Sequence, residues 1–216
     1  MSLLLQIAIV LLLLGNLAML AARRLEPRIT LVALQGALLA ALLLLAPHNG
    51  GHLLHSLLLA AAIIAIKAVS FPLLLRRTLR KVSFTPHAVS ASKDHKFAVL
   101  AGMAGLIFSL WLETRLPLAQ ALYPPLLFPA ALTTLFAGLI MVVGRNRALG
   151  QVMGYLVAEN GIFLLSMPLM VESSTWFELS LLLDVFVAVF VMGIAINHIN
   201  ETFESIDVGR FCSLRD

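Results

Sequence analysis

The 216-residue chain is 61% hydrophobic and 12% charged, with a formal net charge of +4 and a mean hydropathy of +1.00. Soluble domains carry roughly 25% charged residues, so a polar-surfaced globule is excluded and the apolar surface must face lipid. The basic residues fall in short segments between apolar stretches, which is a signal of membrane orientation and gives no reason to invoke nucleic acid.

A hydrocarbon core of about 30 Å takes roughly 20 apolar residues in a helix. Seven stretches meet or approach that length, at about 2–22, 29–46, 53–75, 96–112, 126–144, 149–170 and 177–197. The first has the apolar run of a signal peptide but no basic residues before it; Arg23 and Arg24 follow it, as in an uncleaved anchor. His48-Asn49-Gly50-Gly51 separates the second span from the third, Pro117, Pro124 and Pro125 punctuate the segment before the fifth, and Glu172-Ser173-Ser174 separates the sixth from the seventh. The longest polar connection is 76–95.

Seven crossings place Arg23, Arg24, Arg28, Arg76, Arg77, Arg80, Lys81, Lys93, Lys96, Arg145, Arg147, Arg210 and Arg215 on one side. Only Arg115 falls opposite, and Lys67 lies within a span. The expectation is an all-α polytopic transmembrane bundle of about seven helices, N-terminus outside and C-terminus cytoplasmic. Its parts are four helices over 1–125 with the cytoplasmic loop 76–95, three helices over 126–197, and a tail at 198–216.

Three ionisable residues lie deep in apolar spans: Lys67, Glu159 and Asp184. At 1.5 Å per residue they sit roughly 12, 15 and 20 Å from the cytoplasmic ends of their helices. A charge at mid-membrane costs about 2.5–3.5 kcal/mol on insertion scales, so such groups face a bundle interior, pair, or line a polar path. Burial penalises the charged forms of acid and amine alike, and both can then exchange protons near neutral pH. The functional reading is a proton relay through Lys67, Glu159 and Asp184; the structural alternative is polar groups that hold helices together in lipid. Ser56, Ala60 and Ser70 share a helical stripe with Lys67, and Ser180 one with Asp184. Pro72 removes the backbone bond to the Ala68 carbonyl, and Pro168 the bond to Leu164.

The remaining candidates are plainer. Asn16 and Gln35 read as interhelical hydrogen-bonding groups, and Gly150-x-x-x-Gly154 as a site of close helix packing. His52 and His55 have a ligand-like spacing with no third ligand, His87 and His95 read as solvated, and Cys212 is the single cysteine. No nucleotide, flavin or metal motif is present, so no cofactor is expected in this chain.

The stretch Gly154-Tyr155-Leu156-Val157-Ala158-Glu159-Asn160-Gly161 resembles the signature of hydrogenase-4 component E. So do Leu183 to Met192, Ile66 to Leu74, and the tail Asn200 to Val208. The last three spans also resemble the K subunit of respiratory complex I and the C subunit of multi-subunit sodium/proton antiporters. Glu159 matches the first of two membrane glutamates in that K subunit, and Asp184, a shorter acid, stands at the second. The resemblance implies a membrane-arm subunit of a complex-I-like group 4 [NiFe] hydrogenase or formate hydrogenlyase in the bacterial cytoplasmic membrane. It implies partners among antiporter-like membrane subunits and, indirectly, a peripheral hydrogenase arm that holds the metals. The chain itself would then be a non-catalytic part of an oxidoreductase. The competing functions are a non-conducting scaffold of such a complex and a stand-alone cation/proton transporter, the latter disfavoured by the lack of a clear internal repeat.

Overall fold

The computed structural model describes residues 3–22, 24–45, 57, 60–61, 63–82, 95–116, 124–144 and 148–170. All regular structure among them is helical. Helix α1 is Leu3–Ala21 and α2 is Leu25–Leu45. A π-helical segment, Ile64–Ser70, runs directly into α3, Phe71–Val82. Then come α4 (His95–Arg115), α5 (Leu127–Val143) and α6 (Ala148–Met170). Among the described residues three helices are long and apolar enough to cross a membrane: α1, α2 and Lys96–Arg115 of α4. The span expected at 177–197 lies outside the described residues.

Helix α2 begins four residues before its expected start. Pro27 fits a first helical turn, where its missing N–H is not needed, and so Arg28 belongs to the helix and not to a loop. Arg28 is only 2% exposed. Its guanidinium donates to the Ala22 carbonyl just past the end of α1, where helical carbonyls lack intrahelical partners.

The expected 76–95 loop is also corrected at its start, because α3 continues to Val82. Its apolar Phe71 and Leu75 are buried at 2% exposure each, while Arg76 and Arg77 are exposed, an amphipathic pattern that supports a helix end at a bilayer surface. Arg76 Nη2 donates to Thr30 Oγ1 at 3.3 Å, so basic groups of α2 and α3 gather at one end of the bundle. Helix α4 extends the expected 96–112 to Arg115, whose guanidinium lies 5.7 Å from the Trp111 ring centre.

Proline sets two further features. Pro124-Pro125 precedes α5, and Leu126 enters it with φ 69°, a left-handed turn. Upstream of Pro72 the chain adopts the wide π geometry, with Phe71 N–H bonded to the Ile66 carbonyl five residues back. Segments of this kind occur where a helix accommodates a functional or packing demand.

Helices α5 and α6 pack most extensively, and α1 and α2 cover them. A Cβ on Gly138 would overlap the Ala158 backbone nitrogen; one on Gly154 would lie 2.7 Å from Val142 N, and one on Gly161 2.5 Å from Leu135 N. Small residues let helix backbones approach where lipid gives no hydrophobic drive between helices. The apolar core is split in two. One cluster includes Leu12, Leu39, Ile63, Ala131 and Phe163. The other includes Met19, Val32, Phe71, Ala137 and Leu156. A polar layer lies between them.

Candidate functional site

The polar layer follows from helical spacing. Asn16 falls between Leu12 and Met19, Gln35 between Val32 and Leu39, Lys67 between Ile63 and Phe71. Thr134 falls between Ala131 and Ala137, and Asn160 between Leu156 and Phe163. Each is three or four residues from apolar neighbours on its own stripe. Six polar side chains from five segments therefore meet at one level. Their exposures are 0% for Asn16 and Thr134, 1% for Gln35, 3% for Lys67 and Asn160, and 5% for Glu159.

Lys67 anchors the layer. Its Nζ donates to Glu159 Oε1 at 2.6 Å and to Asn160 Oδ1 at 3.1 Å. It also lies 5.3 Å from the Phe163 ring centre, where the ring face attracts a cation. Asn160 Nδ2 donates to Gln35 Oε1 at 3.3 Å, and Gln35 Nε2 donates to Asn16 Oδ1 at 2.5 Å. Asn16 Nδ2 donates to Thr134 Oγ1 at 2.7 Å, and that hydroxyl donates to the Ala130 carbonyl at 2.6 Å. One continuous chain of bonds thus links the π segment to α6, α2, α1 and α5.

This arrangement answers the cost of burial. A lone ammonium or carboxylate in an apolar interior is strongly disfavoured, and pairing with additional hydrogen bonds offsets that. Oε2 of Glu159 has no hydrogen-bond partner among the described residues. Among the described residues the carboxylate therefore binds Lys67 through Oε1 alone. Nζ and Oε1 stand 2.6 Å apart, within the heavy-atom reach required for direct proton transfer.

Of the three expected site residues, the structure brings Lys67 and Glu159 together. Asp184 lies outside the described residues, with Ser180, Ser56, His52, His55, His87 and Cys212. Ser70 is corrected: it is exposed, and its hydroxyl donates to the Ala65 carbonyl at 2.8 Å. The wide π turn changes which residues share a face, so the i,i+3 rule of the α-helix fails there. Asn16 and Gln35 do bond across helices, but as members of the same network as Lys67. Thr134 escaped sequence reasoning; its only signal is a polar group on an otherwise apolar stripe. Among the described residues no group of three or more His, Cys, Asp or Glu side chains gathers.

No family model matches the chain, and no solved structure does. Hydrogenase-4 component E of Escherichia coli K12 is 26% identical to it over 160 residues, 74% of this chain and 73% of that protein. The same component of Shigella flexneri gives the same figures. An uncharacterized protein of Mycobacterium tuberculosis is 29% identical over 204 residues, 90% of this chain and 88% of its own length. These identities support a distant relationship between this chain, whose described residues are helical, and hydrogenase-4 component E.

Proposed function

We propose that this chain is a membrane-arm subunit of a complex-I-like hydrogenase, of the hydrogenase-4 or formate hydrogenlyase type, and that Lys67, Glu159 and Asp184 relay protons through it. The carrying observation is the buried Lys67–Glu159 pair, 2.6 Å apart between two helices. An acid and an amine so placed exchange one proton without either charge standing alone in hydrocarbon. The second oxygen of Glu159 supplies the exit from the pair, and Asp184 on the following span is the next acid in sequence. Redox chemistry and its metals belong to other subunits, and this chain supplies no cofactor site. In this reading it spans the bacterial cytoplasmic membrane seven times, its C-terminal part corresponds to the complex I K subunit, and antiporter-like subunits flank it.

The distant relationship to hydrogenase-4 component E supports the setting. Affinity purification of the tagged full-length chain from native membranes tests it: [NiFe] hydrogenase and antiporter-like subunits should co-purify. Recovery of the chain without them contradicts the setting.

A scaffold role is the second reading, favoured by one observation. Asn16, Gln35, Asn160 and Thr134 do not titrate, yet they tie together four helices. Asp184→Asn in the assembled complex separates the two readings, since a scaffold would leave proton translocation unchanged.

A further inference from the structure

The amide chain beside Lys67 has a single sense. Every bond donates away from the lysine: Lys67 to Asn160, Asn160 to Gln35, Gln35 to Asn16, Asn16 to Thr134, and Thr134 to the Ala130 carbonyl. That sense is forced from one end. An ammonium has three donors and no acceptor, so Asn160 must turn its oxygen to Nζ and its NH2 outward. Gln35 must then turn its oxygen to Asn160, Asn16 its oxygen to Gln35, and Thr134 must receive from Asn16. The Thr134 proton is left for Ala130.

We propose that this chain is a two-state element that reports the proton on Lys67 to α5. When the proton has passed from Nζ to Glu159 and onward to the next acid of the proposed relay, Asp184, Nζ keeps two N–H groups, one of them on the Glu159 carboxylate, and gains a lone pair on the side of Asn160. That acceptor is satisfied if Asn160 turns its NH2 to Nζ. Gln35 then donates to Asn160, Asn16 donates to Gln35, and the Thr134 hydroxyl donates to Asn16 and releases the Ala130 carbonyl. Both senses keep every link of the chain bonded. Exchanging the O and NH2 of an amide is nearly isosteric, so three half-turns at Asn160, Gln35 and Asn16 need no repacking in a layer where all are buried. A chain stopped halfway would hold two acceptors or two donors face to face, and a buried unsatisfied group is costly. The inversion is therefore concerted, as expected of an element with two discrete arrangements.

Among the described residues the titratable group paired with Lys67 is Glu159 of α6. Helices α2, α1 and α5 present Gln35, Asn16 and Thr134 to the chain, none of which titrates. Asn160, Gln35 and Asn16 are thus positioning residues; protons do not pass through them. The proposal rests on the relay reading for a changing proton at Lys67, and its readout is independent of pumping.

The test is solid-state NMR of the full-length, isotope-labelled chain in membranes. It follows Lys67 Nζ, the Thr134 side chain and the Ala130 carbonyl across pH. The Thr134 and Ala130 resonances should move with the same midpoint as Nζ. Gln35→Met, which cuts the chain without touching Lys67, should leave the Nζ titration in place and flatten the response at Thr134 and Ala130. Lys67→Met removes the donor that fixes the sense and should shift the Ala130 carbonyl resonance at a single pH. The proposal is overturned if Nζ holds one state throughout, if Thr134 and Ala130 stay fixed while Nζ titrates, or if they still follow it in Gln35→Met. An unchanged Ala130 resonance in Lys67→Met overturns it equally. A pumping defect at Glu159 without any of these shifts sinks the transmission alone; the shifts without a pumping defect sink the relay alone.

Discussion

Gly36 of α2 and Lys67 meet with no space for a methyl group between them: a Cβ at Gly36 would lie 2.9 Å from both the carbonyl carbon and the Cβ of Lys67. The backbone of the π segment thus rests directly on α2, one residue past Gln35. The lysine is held at the level of the polar layer by backbone against backbone.

Gly36→Ala should therefore displace Lys67. Overpacking of this kind costs about 1–3 kcal/mol, and the atoms struck include the backbone, which cannot rotate aside. Gly15 is the matched control, since a Cβ there meets nothing within 4 Å. Thermal unfolding in detergent should show Gly36→Ala destabilised and Gly15→Ala equal to or slightly above the native chain, because alanine is the better helix former. Equal melting temperatures for both variants would remove the close approach as a cause.

The ion pair should be strongly non-additive. Lys67→Met leaves Glu159 as a buried acid without its cation, and Glu159→Gln leaves Lys67 without its anion. Breaking one side of such a pair costs about 3–5 kcal/mol, whereas replacing both partners is far milder. The double variant Lys67→Met/Glu159→Gln should thus melt above either single variant. Additive losses would mean that the two groups do not depend on each other.

Asn16→Leu should be costlier than an average interhelical hydrogen bond. Interhelical bonds in lipid are worth only about 0.6 kcal/mol on average. Here, however, the substitution orphans the Gln35 donor in a fully buried layer, and an unsatisfied buried group costs about 1–3 kcal/mol. A chemical unfolding titration that places Asn16→Leu within the lower figure would show that Gln35 finds another partner.

Gly138→Ala should loosen the α5–α6 contact at the turn that carries Glu159, since its Cβ would overlap the Ala158 nitrogen. Gly105→Ala is the milder case: its Cβ would meet the Phe136 side chain at 3.4 Å, and that ring can shift. The expected order of melting temperatures is native, Gly105→Ala, then Gly138→Ala. The reverse order would contradict backbone contact as the reason for glycine at 138.

Much of the architecture was legible because hydrocarbon imposes a simple demand. Long apolar runs gave α1, α5 and α6 nearly their observed limits, and the isolated charges Lys67 and Glu159 marked the polar layer. The misses have local causes. Arg28 looked like a residue between spans, yet Pro27 is admissible in a first turn and α2 begins at Leu25, with Arg28 inside it. Arg76 and Arg77 looked like loop residues, yet a helix can carry them on its exposed face. Ser70 was placed by α-helical spacing in a segment that Pro72 keeps from being α-helical. The network itself was illegible, because pairing Asn16 with Gln35 and Thr134 depends on helix neighbours that one sequence does not reveal.

The most direct measurement is proton translocation in sealed vesicles that carry the assembled complex with Glu159→Gln, beside Glu159→Asp. If Glu159 relays protons, the glutamine variant retains hydrogenase turnover with an artificial electron carrier but loses proton movement, and the aspartate variant keeps part of it. Native proton translocation by the assembled Glu159→Gln complex would rule Glu159 out as a proton carrier.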